Sequence, residues 1–346
     1  MNHRHFDIAI IGQGITGTLL GHFLEQYGLK VLIIDNCHQG ASSMVAAGIV
    51  NPITGKHFVK SWKIDELLPA ALATYDEVGE KLGIRCYTKA NIVRALDTIE
   101  QENTWFGRTH DPLYTKYIVP DADVSEMKNH VALPTQYAEI TQSFHVHFKD
   151  ILLSYKAYWQ KGNTYIEARF RPEALTISSQ GYHYHDCHFD KIAFCEGYQA
   201  VNNPFFDKLN LQPAKGEILF VRIPGATFRK MYKHKMFLVH QYDDVYWAGS
   251  GYEWKFESDK PTDAGLQSIK VELDKMLAVP YEIIGHIAGV RPATTMRRPI
   301  VRKHEIHPGM YLLNGMGTKG ASLSPLVTRQ LASYIVEGKG ELIING

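Results

Sequence analysis

Most of the features that would place a chain in a special class are missing from these 346 residues. No apolar run approaches the ~18 residues that a membrane-spanning helix needs. The 37 Lys+Arg and 36 Asp+Glu leave a net charge of +1, so no strong field draws the protein to nucleic acid or an anionic membrane. The four cysteines, Cys37, Cys86, Cys187 and Cys195, form no CxxC pair, which leaves free thiols in a reducing compartment. The histidines never take HExxH spacing. His183, His185 and His188, like His145 and His147, fit alternating strand positions, and no metal is expected. Internal repeats and low-complexity linkers are absent as well. Residues 1–5 lead straight into a strand pattern with no room for a signal peptide, so the expected location is the cytoplasm. What remains is an ordinary globular composition, 45% hydrophobic and 21% charged, long enough for one large or two medium domains.

The chain is organised around residues 6–35, FDIAIIGQGITGTLLGHFLEQYGLKVLIID. Ile8-Ala9-Ile10-Ile11 reads as a buried parallel strand. Gly12, Gly14 and Gly17 follow in G-x-G-x-x-G spacing. A helix pattern covers 15–27, closed by Gly28, and Val31-Leu32-Ile33-Ile34 is a second strand ending in Asp35. The first glycine permits the turn, the second lets a pyrophosphate approach the backbone, and the third lets the helix pack on the strands. The helix start at Ile15 and Thr16 offers free N–H groups to phosphate, and Asp35 stands where a carboxylate accepts from ribose hydroxyls. Strand, loop, helix, strand and acid occur in order, which a lone glycine motif does not provide.

Residues 41–49 are rich in small side chains that let backbone approach a ligand, among them Ser42, Ser43, Ala47 and Gly48. Long helices are predicted over 64–82, 148–160 and 264–277. Hairpins are predicted at 175–185 and 236–249. Strands are predicted at 86–96, 191–195, 216–223, 281–288 and 311–314. Residues 98–140, punctuated by Asp111-Pro112, Val119-Pro120 and Leu133-Pro134, are expected to be less regular.

A second constellation lies near the C-terminus. Gly289-Val290-Arg291-Pro292 puts an arginine at a strand end, where it suits a carboxylate. Residues 315–320, GMGTKG, form another glycine-rich turn. Ser324 as N-cap and Pro325 as first helical residue are expected to open the last helix, whose start stabilises negative charge.

These motifs together resemble the D-amino-acid-oxidase superfamily of FAD-dependent amino acid and amine oxidoreductases. The resemblance covers nearly the whole chain. It rests on Gly12/Gly14/Gly17 with Asp35, the small residues 42–48, Phe194-Cys195-Glu196-Gly197, Pro213-Ala214-Lys215-Gly216-Glu217, GVRP at 289–292 and GMGTKG at 315–320. It implies an α/β (α+β) fold: a Rossmann-like FAD-binding domain of residues 1–60, 141–212 and 286–346, interleaved with an antiparallel β-sheet substrate domain of 61–140 and 213–285. It implies FAD contacts at Gly12, Gly14, Ile15, Thr16, Gly17, Asp35, Ser42, Ser43, Ala47, Gly48, Phe170, Gly197, Gly317, Thr318, Lys319 and Gly320. The family's acid is usually Glu, so Asp35 is a mild departure. With no cysteine near residue 291, FAD is expected to be non-covalent.

The implied reaction oxidises a C–N bond beside a carboxylate, by hydride transfer from a neutral amine to flavin N5. Arg291 would orient the carboxylate, and Lys319 would bias flavin charge or assist reduction of O2 or another electron acceptor. The partner is then a small amine or amino acid, with nucleic acid and membrane not expected. Three alternatives stay open: an oxidase of carboxymethylaminomethyl-uridine in tRNA, a non-catalytic FAD-binding protein, and an NAD-dependent dehydrogenase.

Overall fold

The computed structural model describes residues 4–132 and 136–338. The expected break at Leu133-Pro134 and the first three residues lie outside the described residues. Seven helices occur among those described: α1 Ile15–Gln26, α2 Ser42–Val45, α3 Ile64–Leu82, α4 Ile99–Thr109, α5 Phe148–Lys161, α6 Asp263–Met276 and α7 Gly320–Glu337.

Two large sheets carry the architecture. The first runs Tyr165–Glu167, Val31–Asp35, Arg4–Ile11, Cys187–Phe194, then the hairpin strands Gly181–Tyr184 and Leu175–Ser178. Met310–Asn314 pairs in parallel with the second half of Cys187–Phe194, and Ile300–Lys303 pairs with Met310–Asn314. The four strands at its centre and edge (165–167, 31–35, 4–11, 187–194) are parallel. Both faces of this region are covered, which is why its strands read as unbroken apolar runs. Ile8 and Ile10 join the core beneath α1, α3, α5 and α7, whereas Ala9 and Ile11 join the core on the opposite face.

The second sheet runs Glu282–Arg291, Ala214–Arg222, Val245–Gly249, Phe237–Tyr242, Met231–Lys233, Ile92–Leu96, Gln136–Ile140, Ile118–Val119. It is antiparallel except where Met231–Lys233 lies parallel to Ile92–Leu96. One row of register crosses five strands: Ile218, Gly249, Phe237, Lys233 and Arg94. The neighbouring row, Leu219, Ala248, Leu238, Tyr232 and Val93, enters a separate core with α6 residues Ile269, Leu273 and Met276. Strand side chains alternate faces, so these two rows look in opposite directions.

Two local expectations are corrected. Residues 98–140 contain a full helix, α4. Thr98 caps it, accepting from Gln101 N–H at 3.2 Å, while Gln101 Oε1 accepts from Asp97 N–H at 3.2 Å. Thr98-Ile99-Glu100-Gln101 is a capping-box signal. Only Trp105 of this helix is buried, so its apolar period is weak. The second correction concerns the last helix, which begins at Gly320 with Lys319 at the N-cap, not at Ser324. Pro325 falls in its second turn. Having no N–H, it leaves the Ala321 carbonyl without its helical donor. Tyr75 Oη of α3 donates to that buried carbonyl at 2.8 Å, which compensates the break.

Candidate active site

A single cavity of about 1020 Å3 lies between the two sheets, and both glycine-rich turns open into it. On the first sheet, the chain leaves Ile11 through Gly12, whose φ of +100° and proximity to the Cys195 carbonyl exclude a side chain. A Cβ at Gly12 would stand 2.5 Å from that oxygen. Gly14 then serves as N-cap of α1 with no side-chain cap and no acid in the first turn. Ser43 Oγ accepts from Ile15 N–H at 3.1 Å, which ties α2 to the start of α1. Asp35 accepts from Gln13 N–H and Cys37 N–H, each at 2.7 Å and on different oxygens, so its carboxylate is held facing the loop.

The start of α7 stands beside the start of α1. Thr16 Oγ1 and Ser324 Oγ are 3.3 Å apart, and a Cβ on Gly320 would be 3.7 Å from Ile15. α7 likewise has no side-chain cap and no acid in its first turn. Gly315 and Gly317 take φ of +79° and +55° in the turn that leads to it. Two helix N-termini therefore present backbone N–H groups to one cavity. Lys319 adds a side chain whose pKa is pushed down by burial and then by Arg298 and Arg297.

Of the residues expected at a cofactor, Gly12, Gly14, Ile15, Thr16, Asp35, Ser42, Ser43, Ala47, Gly48, Phe170, Gly197, Gly317, Thr318, Lys319 and Gly320 all line the cavity. Gly17 does not. It is buried against the turn, where a Cβ would overlap the Gly12 carbonyl, so its part is helix–strand packing. Phe170 lines the cavity and stacks its ring on Tyr184 at 4.9 Å.

The second sheet supplies the opposite wall. Arg291 ends the strand Glu282–Arg291 and reaches over Gly216, where a Cβ would overlap the guanidinium. It donates to Ser250 Oγ and, at 3.2 Å, to the Gly251 carbonyl, and it lies 4.6 Å from the centre of the Tyr252 ring. Burial pushes its pKa down, with Tyr252 opposing. No acid pairs with it among the described residues. Next to Gly216, Lys215 and Glu217 face the other way and form a 2.9 Å ion pair. Glu217 also accepts from Thr262 and lies 2.8 Å from His286 Nε2. In Lys215-Gly216-Glu217, the glycine thus belongs to the cavity and its charged neighbours brace α6.

Trp247 and Tyr252 also line the cavity. Trp247 Nε1 donates to the Val45 carbonyl at 2.8 Å, which fastens the small-residue stretch to the second sheet. Tyr246 is on the other face, stacked on Phe228, and Tyr242 is exposed. Sequence reasoning missed Glu196, Arg94 and Lys233 as cavity residues. Burial pushes the Glu196 carboxyl up, opposed by the Asn203 amide that donates to it at 2.6 Å. All four cysteines are free thiols, and Cys37 and Cys195 reach the cavity wall. Away from the cavity, His5, His188 and Asp190 on the first sheet bring potential ligand atoms within 4.8 Å of one another. No helix among the described residues is long and apolar enough to cross a membrane.

The two helix starts whose N-cap residues supply no capping side chain, the glycine turns that a Cβ would fill, and the acid at the end of Val31–Asp35 fit a dinucleotide whose far end needs anion stabilisation. Comparison with known proteins agrees. The profile of the FAD dependent oxidoreductase (DAO) family matches residues 7–334. Among solved structures, glycine oxidase from Geobacillus kaustophilus superposes with a TM-score of 0.81 at 20% identity, covering 98% of this chain and 96% of that one. Iminodiacetate oxidase from Chelativorans sp. BNC1 gives 0.78 at 20% identity, covering 96% of each chain. L-proline dehydrogenase from P. horikoshii gives 0.79 at 16% identity, covering 99% and 96%. The chain therefore belongs to the DAO family and is an FAD-dependent oxidoreductase.

Proposed function

We propose that this enzyme oxidises the C–N bond of a small amino acid or secondary amine that carries a carboxylate. The observation that carries this reading is Arg291: a half-buried guanidinium on the cavity wall, fixed by Ser250 and Gly251, with no acidic partner among the described residues. A partly desolvated cation without an acidic partner favours an arriving anion. The substrate carboxylate would supply it and be oriented by the planar fork. The residues around Gly12, Gly14, Asp35, Ser42, Ser43 and residues 317–320 hold FAD without a covalent link. FAD, when bound, accepts the two electrons of the oxidation. Trp247 and Tyr252 line the same cavity, Tyr252 against the Arg291 guanidinium.

Arg291→Met is expected to raise KM for a carboxylated amine roughly 10- to 150-fold, the worth of a charged hydrogen-bonding partner, with a smaller change in kcat. Anaerobic bleaching of the flavin band by a panel of glycine, sarcosine, D-amino acids and proline identifies the amine. If no carboxylated amine bleaches it, or if Arg291→Met leaves KM where it was, the reading falls. Acid precipitation should release the yellow cofactor into the supernatant; colour retained in the pellet would refute non-covalent binding.

A further inference from the structure

Arg94 and Lys233 are directly paired in the parallel register between Ile92–Leu96 and Met231–Lys233. Both belong to the row that faces the cavity, and both line it. Two like charges side by side on one sheet face repel each other. Neither is relieved by an acid within ion-pair distance among the described residues. Arg94 Nη1 donates to the Gly55 carbonyl at 2.8 Å and its guanidinium lies 4.3 Å from the Phe58 ring centre. Lys233 Nζ donates to the Lys235 carbonyl at 2.7 Å and lies 4.8 Å from the Phe237 ring centre. Asp97, on the same stretch of chain as Arg94, is engaged by His234 at 2.7 Å and Lys235 at 3.6 Å. Burial, with Arg94 and Lys235 adding to it, lowers the Lys233 ammonium to about 8. With Asp97 acting on Arg94 only at longer range and no acid in contact with either, the paired cations are an unfavourable arrangement in the free protein that an entering anion relieves.

Its position relative to Arg291 is set by the sheet. The Arg291 guanidinium lies over Gly216 and against Ser250 and Gly251, which follow the strand Val245–Gly249. Met231–Lys233 is two strands further on, with Phe237 opposite Gly249 in the strand between. Gly216 lies one strand beyond Val245–Gly249, so two to three interstrand spacings, roughly 10–15 Å, separate the two cationic sites, with Phe237 between them. A short aliphatic chain with an oxyanion at each end bridges that gap.

We propose that Arg94 and Lys233 form a second oxyanion subsite, so that the substrate is a small amine carrying one carboxylate at Arg291 and a further carboxylate or phosphonate at its other end. This rests on the reading of Arg291 as the carboxylate anchor. The FAD-loaded enzyme is titrated calorimetrically with methylthioacetate, thiodiacetate, 3-(carboxymethylthio)propionate and (phosphonomethylthio)acetate. In each, sulfur replaces the oxidisable nitrogen, so binding is read without turnover. At least one two-anion ligand is expected to bind about tenfold or more tighter than methylthioacetate, and the better arm identifies the second group as carboxylate or phosphonate. In Lys233→Met and in Arg94→Gln that ratio is expected to fall to near one. If the two-anion ligands bind no tighter while methylthioacetate binds in an Arg291-dependent way, the second subsite is refuted and the proposed function stands. If methylthioacetate binding is indifferent to Arg291→Met, the anchor fails and the second subsite fails with it.

Discussion

The two walls of the cavity use different materials. On the first sheet the wall is backbone: Gly12, Gly14, Gly48 and Gly317 bring main chain to the surface, and two helix starts turn N–H groups inward. On the second sheet the wall is side chain: Arg291, Trp247, Phe237, Lys233 and Arg94 project from strand positions, and Tyr252 from the loop after Val245–Gly249. A backbone wall suits a ligand whose chemistry does not vary, because N–H groups and clearance survive most changes of side chain. A side-chain wall can be altered one residue at a time without disturbing the ladder behind it. Under the proposed function, the contrast assigns cofactor binding to the first sheet and discrimination among substrates to the second.

Substitutions on the two sides should fail in different ways. The largest effect is expected from Gly12→Ala. Its φ and the 2.5 Å approach to the Cys195 carbonyl leave no room for Cβ, so the turn must move. Loss of flavin absorbance from the purified protein and a stability loss of ~3 kcal/mol or more should follow. Retention of full flavin content would break the backbone-wall account. Arg291→Met, on the other wall, should keep the flavin and lose substrate affinity.

Lys233→Met should move stability the other way. The ammonium has a folded pKa near 8 against 10.5 when free, so its charge opposes folding at pH 7. That opposition is full below pH 8 and fades as pH rises from 8 to 10.5, because only the unfolded chain still binds the proton there. The variant should therefore be more stable than wild type by about 1–3 kcal/mol at pH 7, and the gap should close toward pH 10.5. Denaturant unfolding at both pH values measures this, and a destabilised variant at pH 7 would show that Lys233 is structural. The smallest effect is expected from Tyr75→Phe, which leaves the Ala321 carbonyl without a donor and should cost about 1–2 kcal/mol in thermal unfolding, with little change in substrate affinity.

Legibility followed the same division. Gly12, Gly14 and Asp35 lie within one strand–turn–helix–strand unit, so their geometry was readable from neighbours in sequence. The second sheet was readable in its longer strands, not in Ile118–Val119, Gln136–Ile140 or Met231–Lys233, and not as a wall. Nothing in Val245-Tyr246-Trp247 says which aromatic faces a ligand; the structure sends Trp247 to the cavity and Tyr246 to the core behind. Arg94 and Lys233 each look like an ordinary charge on a strand until the parallel pairing sets them side by side. α4 was legible in its Thr98–Gln101 cap and hidden by its sparse apolar face. The start of α7 was misread because Pro325 usually marks a first turn, and the compensating Tyr75 hydroxyl is far away in sequence.

By itself, then, the sequence determined the family, the dinucleotide turn and the longer strands of both sheets. Those depend on period, on glycine where φ is positive, and on an acid at a strand end, all local properties. The tertiary structure alone decided which alternate residues face the cavity and which distant strands become neighbours. A strand's period of two leaves two faces open, and only register with its partners chooses between them.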